Sequence, residues 1–256
     1  MYEFNSLIDY LNEVLFNLFN FGHNKTLKSG VLINQVYYSG VQALLYVLFF
    51  SIIFSVIGNL LFFNFIHSGD LNIFGQFVVL FSFRDAGPLI ISLILLLRSG
   101  TAITSEISAM KCEKEISHIL TLGISPISYL VAPRIIGLMV CSIILSIYFA
   151  FFYGVFTACT THFFYNIPFD ETIALLYKHT NYIDIFLLFL KSSIGGFIIS
   201  SVCCFRGLQC RESITEIPQQ NIFAVKQSLT MIFIFHGLIL FLEAINSGLL
   251  RYLKYA

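Results

Sequence analysis

Five apolar runs constrain this chain more than any other feature: approximately Val41–Ile66, Phe74–Leu97, Ile135–Thr157, Ile183–Phe205 and Phe223–Leu242. Each meets the length of about 20 residues that an α-helix needs to cross a bilayer. In hydrocarbon the backbone must satisfy its own N–H and C=O groups, which a lone run of this length does only as a helix. The rest of the chain agrees, being 57% apolar and 11% charged, whereas soluble domains carry roughly a quarter charged residues. The expected fold is an all-α polytopic membrane protein, with residues 1–256 forming a single membrane domain of five transmembrane helices. The second run is the least regular, because Arg84 and Asp85 interrupt it.

Charge placement sets an expected orientation. The connections His67–Ile73 and Ala158–Tyr182 hold one basic residue between them, Lys178. The opposite side receives Lys25, Lys28, Arg98, Lys111, Lys114, Arg134, Arg206, Arg211 and Lys226. Basic loops mark the cytoplasmic face, which predicts a cytoplasmic N-terminus and a periplasmic C-terminus, although Arg251 and Lys254 in the tail run against it. The formal net charge of zero argues against nucleic acid as a partner. The N-terminus lacks the basic start, short apolar core and cleavage site of a signal peptide. Residues 1–22 instead predict an amphipathic interfacial helix. Phe4, Leu7, Ile8, Leu11, Val14, Leu15, Leu18 and Phe19 fall on one face, while Asn5, Asp9, Asn12, Glu13, Asn17 and Asn20 fall on the other, with Phe16 as the misfit. Its polar face is acidic, so docking against the protein is expected as well as contact with lipid.

The chemistry concentrates between Arg84 and Arg134. Arg84 lies fourteen residues before Arg98, about 21 Å along a helix axis. If Arg98 marks the cytoplasmic boundary, Arg84 and Asp85 sit in the outer half of the membrane, where a charge costs at least ~2.5–3.5 kcal/mol. They must face protein or a hydrated cavity. Pro88 cannot donate to the carbonyl of Arg84, and Gly87 permits a kink. One turn therefore presents a guanidinium, a carboxylate and a freed carbonyl. Either it recognises a polar or anionic head group, or it is an internal ion-paired packing site. Lys191, well inside the fourth run, either lines the same cavity or pairs with Asp85. Ser192, Gly195 and Gly196 follow it and suit close helix packing. His236 and Glu243 are further candidates in the last run.

The segment Lys111–Leu122 predicts a short cytoplasmic helix. Ile116, Ile119 and Leu120 stand at i, i+3 and i+4, with Lys111, Lys114, Glu115 and His118 exposed. It is too short to span and long enough to seat an apolar ridge in a groove on a soluble partner. A surface helix without a partner is the plain alternative. Gly123 can cap it and Pro126 stops it. The six cysteines lack disulfide-framework or metal-ligand spacing and read as small packing residues. No Walker A loop, catalytic carboxylate pair, metal-spaced His cluster or nucleophile elbow is present. The chain is therefore not expected to hydrolyse nucleotide, to be an enzyme or to hold a metal.

These residues resemble the MlaE/YrbE family, the permease subunits of MCE-type ABC lipid transporters. The family pattern runs roughly R-E-x-G-P, G-R-x-G-(S/A)-A-x-x-A-E-x-x-x-M, E-Q, a small residue followed by V-D-P, and P-R. Here it reads Arg84-Asp85-Ala86-Gly87-Pro88, Arg98-Ser99-Gly100-Thr101-Ala102, Glu106, Met110, Gly123-Ile124-Ser125-Pro126 and Pro133-Arg134. The resemblance covers roughly residues 30–245. Asp85 replaces the usual Glu, Leu97 a Gly, Ser125 an Asp, and Lys114-Glu115 the Glu-Gln pair. The acid often found in the last span has no direct counterpart, with Glu243 about two turns later.

The resemblance implies a homodimeric permease in the bacterial inner membrane, moving phospholipid between inner and outer membranes and so maintaining outer-membrane lipid asymmetry. It implies a head-group site on Arg84, Asp85, Pro88 and Lys191, and ATPase coupling through Glu106, Lys111, Lys114, Glu115, Ile116, Ile119 and Leu120. No cofactor is expected in this chain, since ATP and magnesium would be bound by separate cytoplasmic ABC ATPase subunits. An MCE-domain protein on the outer face and a small STAS-domain protein are the other implied partners. A proton-coupled secondary transporter of an amphipathic substrate, working through Asp85 and His236, is the competing expectation. Against it, no inverted repeat of broken helices is visible.

Overall fold

The computed structural model describes residues 7–19, 33, 35–65, 71–211 and 213–255, and these form helices and short turns with no strand among them. Lys25, Lys28, Phe4, Asn5, Asn20, residues 66–70 and the side chains of Arg251 and Lys254 lie outside the described part. Ten α-helices appear there: α1 (Leu7–Phe19), α2 (Leu44–Phe65), α3 (Leu71–Val79), α4 (Ala86–Leu95), α5 (Thr101–Cys112), α6 (Glu115–Thr121), α7 (Ala132–Tyr165), α8 (Phe169–His179), α9 (Tyr182–Leu208) and α10 (Ile217–Tyr255). Three π-helical segments interrupt them, at Leu80–Asp85, Leu96–Gly100 and Ile127–Val131.

Five continuous helical rods are long and apolar enough to cross a membrane: Gln35–Phe63, Leu71–Cys112, Ile127–Tyr165, Tyr182–Leu208 and Ile214–Glu243. They correspond to the five expected runs, and all but the first, which starts earlier and ends at Phe63, reach beyond them at both ends. The second rod continues past Leu97 through the polar Arg98–Glu106, because helix there is kept by hydrogen bonding rather than apolarity. Thr101, Thr104 and Ser105 return their hydroxyls to carbonyls four residues back, leaving no polar group to break the ladder. Helix α7 takes Pro133 into its first turn, where a missing N–H costs little.

The hub is α9, which packs against α4, α5, α7 and α10. Small residues allow this approach. A Cβ added to Gly196 would lie 2.6 Å from Ser142 Oγ and 2.9 Å from the Leu138 carbonyl. Ser142 Oγ donates to the Ser192 carbonyl at 2.7 Å. Cys203 and Cys204 are fully buried in the same packing, and all six cysteines are unbridged.

Two elements differ from the expectation. The connection Ala158–Tyr182 is not open loop: α7 runs on to Tyr165, and α8 follows. Pro168, acids Asp170 and Glu171 in the first turn, and Lys178 and His179 in the last turn are ordinary helix start and stop signals. Helix α8 packs against α3 and α7, with Thr172 and Thr161 hydroxyls 3.2 Å apart. The other difference is at Lys111–Leu122, which is two pieces. Lys111 and Cys112 end α5, the chain turns through Lys114 at φ 62°, and α6 begins at Glu115.

Helix α1 is docked on the protein. Tyr10 and Val14 are wholly buried, and the Tyr10 ring lies 5.2 Å from that of Phe205. Burial pushes the Tyr10 hydroxyl well above its ordinary pKa. The docked face is built on Tyr10 and Val14, with Leu7 and Leu11 packed beside them, whereas Leu15 and Phe16 point outward.

Candidate functional site

The π segment Leu80–Asp85 has a local cause. Pro88 lacks the N–H that would reach the Arg84 carbonyl and its ring crowds that carbonyl. The helix widens upstream instead, and the Ala86 N–H reaches back five residues to the Phe81 carbonyl. Gly87 makes this possible, since a Cβ there would sit 2.0 Å from the Ser82 carbonyl oxygen. The Arg84 carbonyl released by the proline is taken up by Lys191, whose Nζ donates to it at 2.6 Å.

Around that contact three rods assemble five charged groups. Lys191 Nζ lies 3.2 Å from Asp85 Oδ1 and 2.9 Å from Glu243 Oε1. Arg84 Nε lies 3.5 Å from Asp184 Oδ1, and its Nη2 lies 3.5 Å from Glu243 Oε2. Thus Lys191 both pairs with Asp85 and shares a site with Arg84, and Glu243 bridges the two cations. His236, two turns before Glu243, is also buried. The cluster has a closed root and an open edge: the Lys191 and Asp184 side chains are 1% and 7% exposed, whereas Arg84 and Asp85 are 28% and 36% exposed.

Hydrogen-bond capacity is left over in the Arg84 guanidinium, whose Nε is itself buried. Separations of 3.5 Å exceed an N–H···O bond, and Arg84 Nε has no hydrogen-bond partner among the described residues. A guanidinium offers five N–H donors in a planar fork suited to phosphate or carboxylate. Lys191, by contrast, is spent on one carbonyl and two carboxylates. It anchors the cluster, and Arg84 is the more exposed of the two cations.

Asp184 was invisible as a site residue in the sequence. It reads there as the N3 acid of a capping box at the start of α9, a role it also performs: its Oδ2 accepts from the Asn181 N–H at 2.9 Å. Glu243 was visible only as a weak candidate; the facing cations give it its place.

At the opposite end of the rods lies a second group. Glu106 Oε1 meets Arg134 Nη2 at 2.7 Å, tying α5 to α7, with Arg134 3% exposed. The pair borders a cavity of about 490 Å³ that Gln35, Tyr38, Met110 and Tyr129 also line. Lys111 Nζ donates to the Leu208 carbonyl, so it joins α5 to α9 rather than reaching outward. In α6, Ile116 is buried in the core and Ile119 packs beside it. The apolar ridge expected to meet a partner is therefore largely turned toward this protein, because the turn at Lys114 folds α6 back. What α6 and its flanks present outward is Glu113, Lys114, Glu115, Ser117 and His118, with Leu122 beyond; Leu120 is half-buried. The Gly123 N–H bonds to the Leu120 carbonyl and the Ile124 N–H to the Ile119 carbonyl, a Schellman closure with Gly123 at φ 76°.

Comparison with known proteins fits this architecture. The family described as Permease MlaE matches residues 32–242. A probable ABC transporter permease protein of Rickettsia typhi is 29% identical over 167 residues, 63% of this chain and 62% of that protein. A probable ABC transporter permease protein of Synechocystis is 28% identical over 176 residues, 67% of this chain and 65% of that one. The intermembrane phospholipid transport system permease protein MlaE of Haemophilus influenzae is 30% identical over 123 residues, 46% of each chain. This chain thus spans less than two thirds of the length of the curated relatives it matches.

Proposed function

The chain belongs to the MlaE permease family and is a membrane permease of an ABC transporter, and from this premise we propose that its cargo is phospholipid, carried between the inner and outer membranes. The Haemophilus relative bears that function in its name. The observation that carries the reading is the ion cluster's open edge. A guanidinium with unspent donors, held in apolar surroundings by a buried lysine and an acid bridge, suits a lipid phosphate. In this reading Arg84 takes the phosphate, Asp85 borders the head group, Pro88 shapes the turn and Lys191 fixes the backbone beneath it. Maintenance of outer-membrane lipid asymmetry follows as the physiological role.

The protein is a multi-pass inner-membrane protein. Its cytoplasmic end is proposed to be the one where Arg98, Lys111, Arg134, Arg206 and Arg211 gather, with the N-terminus inside and the C-terminus in the periplasm. A homodimer is proposed, with ATP and magnesium bound by separate ABC ATPase subunits that meet the exposed edge of α6. An MCE-domain protein on the outer face and a STAS-domain protein beside the ATPase complete the assembly. Against a proton-coupled secondary transporter of an amphipathic substrate, the ABC transporter names of the relatives favour ATP as the driving force.

Two measurements test this. Mass spectrometry of lipid bound to the purified chain should find phospholipid, and Arg84→Ala should reduce it roughly tenfold, the low end for a charge-assisted hydrogen bond of about 1.5–3 kcal/mol. Undiminished lipid in the variant leaves Arg84 a packing residue. The coupling face is tested by Glu115→Lys with Leu122→Asp, both exposed, which should abolish co-purification of the ATPase while lipid binding persists. Retention of the ATPase would remove α6 as the contact.

A further inference from the structure

Between α2 and α4 an apolar groove of about 490 Å³ lies open at the surface. Tyr46, Phe50, Phe54, Ile90 and Ile94 wall it, and Arg98 stands at one end. From Ile90 to Arg98 the helix advances about 12 Å. Arg98 is half-buried and steered: its Nη2 donates to Gln42 Oε1 at 2.7 Å, and its guanidinium sits 5.3 Å from the Tyr46 ring centre. Its Nη1 is buried with no partner, and no carboxylate pairs with this arginine among the described residues. By contrast Arg134, which borders the cavity beside Glu106, has that acid as its partner.

We propose that this groove is a second phospholipid site, in which Arg98 holds the phosphodiester and one acyl chain lies along α2 and α4. Bulk lipid tails are as apolar as these side chains, so the groove alone gives a chain no reason to stay. Selectivity must come from the charged end. Arg98 at the end of the apolar slot, with one guanidinium nitrogen buried and unpartnered, supplies it, since leaving that donor unsatisfied in the membrane is costly. The site lies fourteen residues from Arg84, about 21 Å along the rod, and so occupies the other half of the bilayer. The proposal requires only that the chain is membrane-embedded; it stands or falls apart from the transport reading.

The chain contains no tryptophan, so Phe50→Trp places a single tryptophan, excited selectively over the tyrosines, in the groove wall. The full chain carrying it is purified in dodecyl maltoside, a detergent without phosphate, and titrated with brominated-tail phosphatidylglycerol or with brominated-tail diacylglycerol. Half-quenching is expected at a roughly tenfold lower concentration of the phospholipid. Arg98→Gln should bring the two curves together, and Arg98→Lys should keep most of their separation. Coincident curves in the Phe50→Trp protein, as a groove closed by a second copy would give, overturn the proposal. So does a separation that survives Arg98→Gln. Should Arg98→Gln fail to elute as a folded protein, Ile94→Phe fills the groove with Arg98 intact and must abolish the preference; its persistence overturns the proposal equally.

Discussion

Lys191 shows what a single residue can hold together. It is 1% exposed and touches a carbonyl and two carboxylates from two other rods. Removing one partner of a buried ion pair leaves uncompensated charge, at a cost of about 3–5 kcal/mol. Lys191→Ala is therefore expected to destabilise the protein by that amount, with Arg84→Ala costing less because Arg84 is more exposed. Thermal unfolding in detergent measures both; equal small losses would mean that water already reaches the cluster. Half of this arrangement was legible in the sequence. Charges at Arg84, Asp85 and Lys191 stand out inside apolar runs, and the proline four residues after Arg84 announces the free carbonyl. Asp184 was hidden because an acid at a helix start has a sufficient local explanation.

Among the elements, α9 depends on close approach. Gly196 faces the Leu138 carbonyl and Ser142 at distances no side chain tolerates. Gly196→Val should push α7 and α9 apart, costing about 1–3 kcal/mol as overpacking does, and should lower the yield of folded protein. Gly237, beside which a Cβ meets nothing within 4 Å in the single chain, supplies the control: Gly237→Val should be nearly neutral for the fold of that chain. A harmless Gly196→Val would mean that the two helices part without loss. Helix positions were readable from apolar length, but helix ends were not. Apolarity stops where the bilayer stops, whereas the helix continues as long as hydroxyls such as those of Thr101 and Ser105 satisfy themselves on the ladder. Helix α8 shows the reverse: its capping signals are present in the sequence, and a search for spans passes over an element of 11 residues.

For the whole molecule, the distribution of burial points outward. The first and fifth rods bury the smallest shares of their surfaces, and α10 exposes Phe233, Ile234, Leu238 and Phe241. The proposed homodimer gives that face a partner. With half-buried Cys112 and Cys159 replaced by serine, Leu238→Cys should form an oxidant-induced dimer, since a disulfide needs Cα atoms about 4.4–6.8 Å apart. If Ile234→Cys, Leu238→Cys and Phe241→Cys all remain monomeric on gels, α10 does not form the contact between copies. Sequence could not reach this level, because a face meeting lipid and a face meeting another copy carry the same apolar side chains.

The three π segments bear on how such a molecule can move. Each stores one residue more than an α-helix would use over the same turns, as slack in an otherwise taut rod. They occur where the chemistry is: at Arg84-Asp85, at Arg98, and between the Gly123 turn and Arg134. Letting a bulge travel along its rod alters the register by one residue, which is a turn of 100° and a rise of about 1.5 Å for everything it passes. Force applied at the Gly123 turn can therefore arrive in the membrane chiefly as rotation, swinging a guanidinium from one neighbour to the next for a slide of only about 1.5 Å.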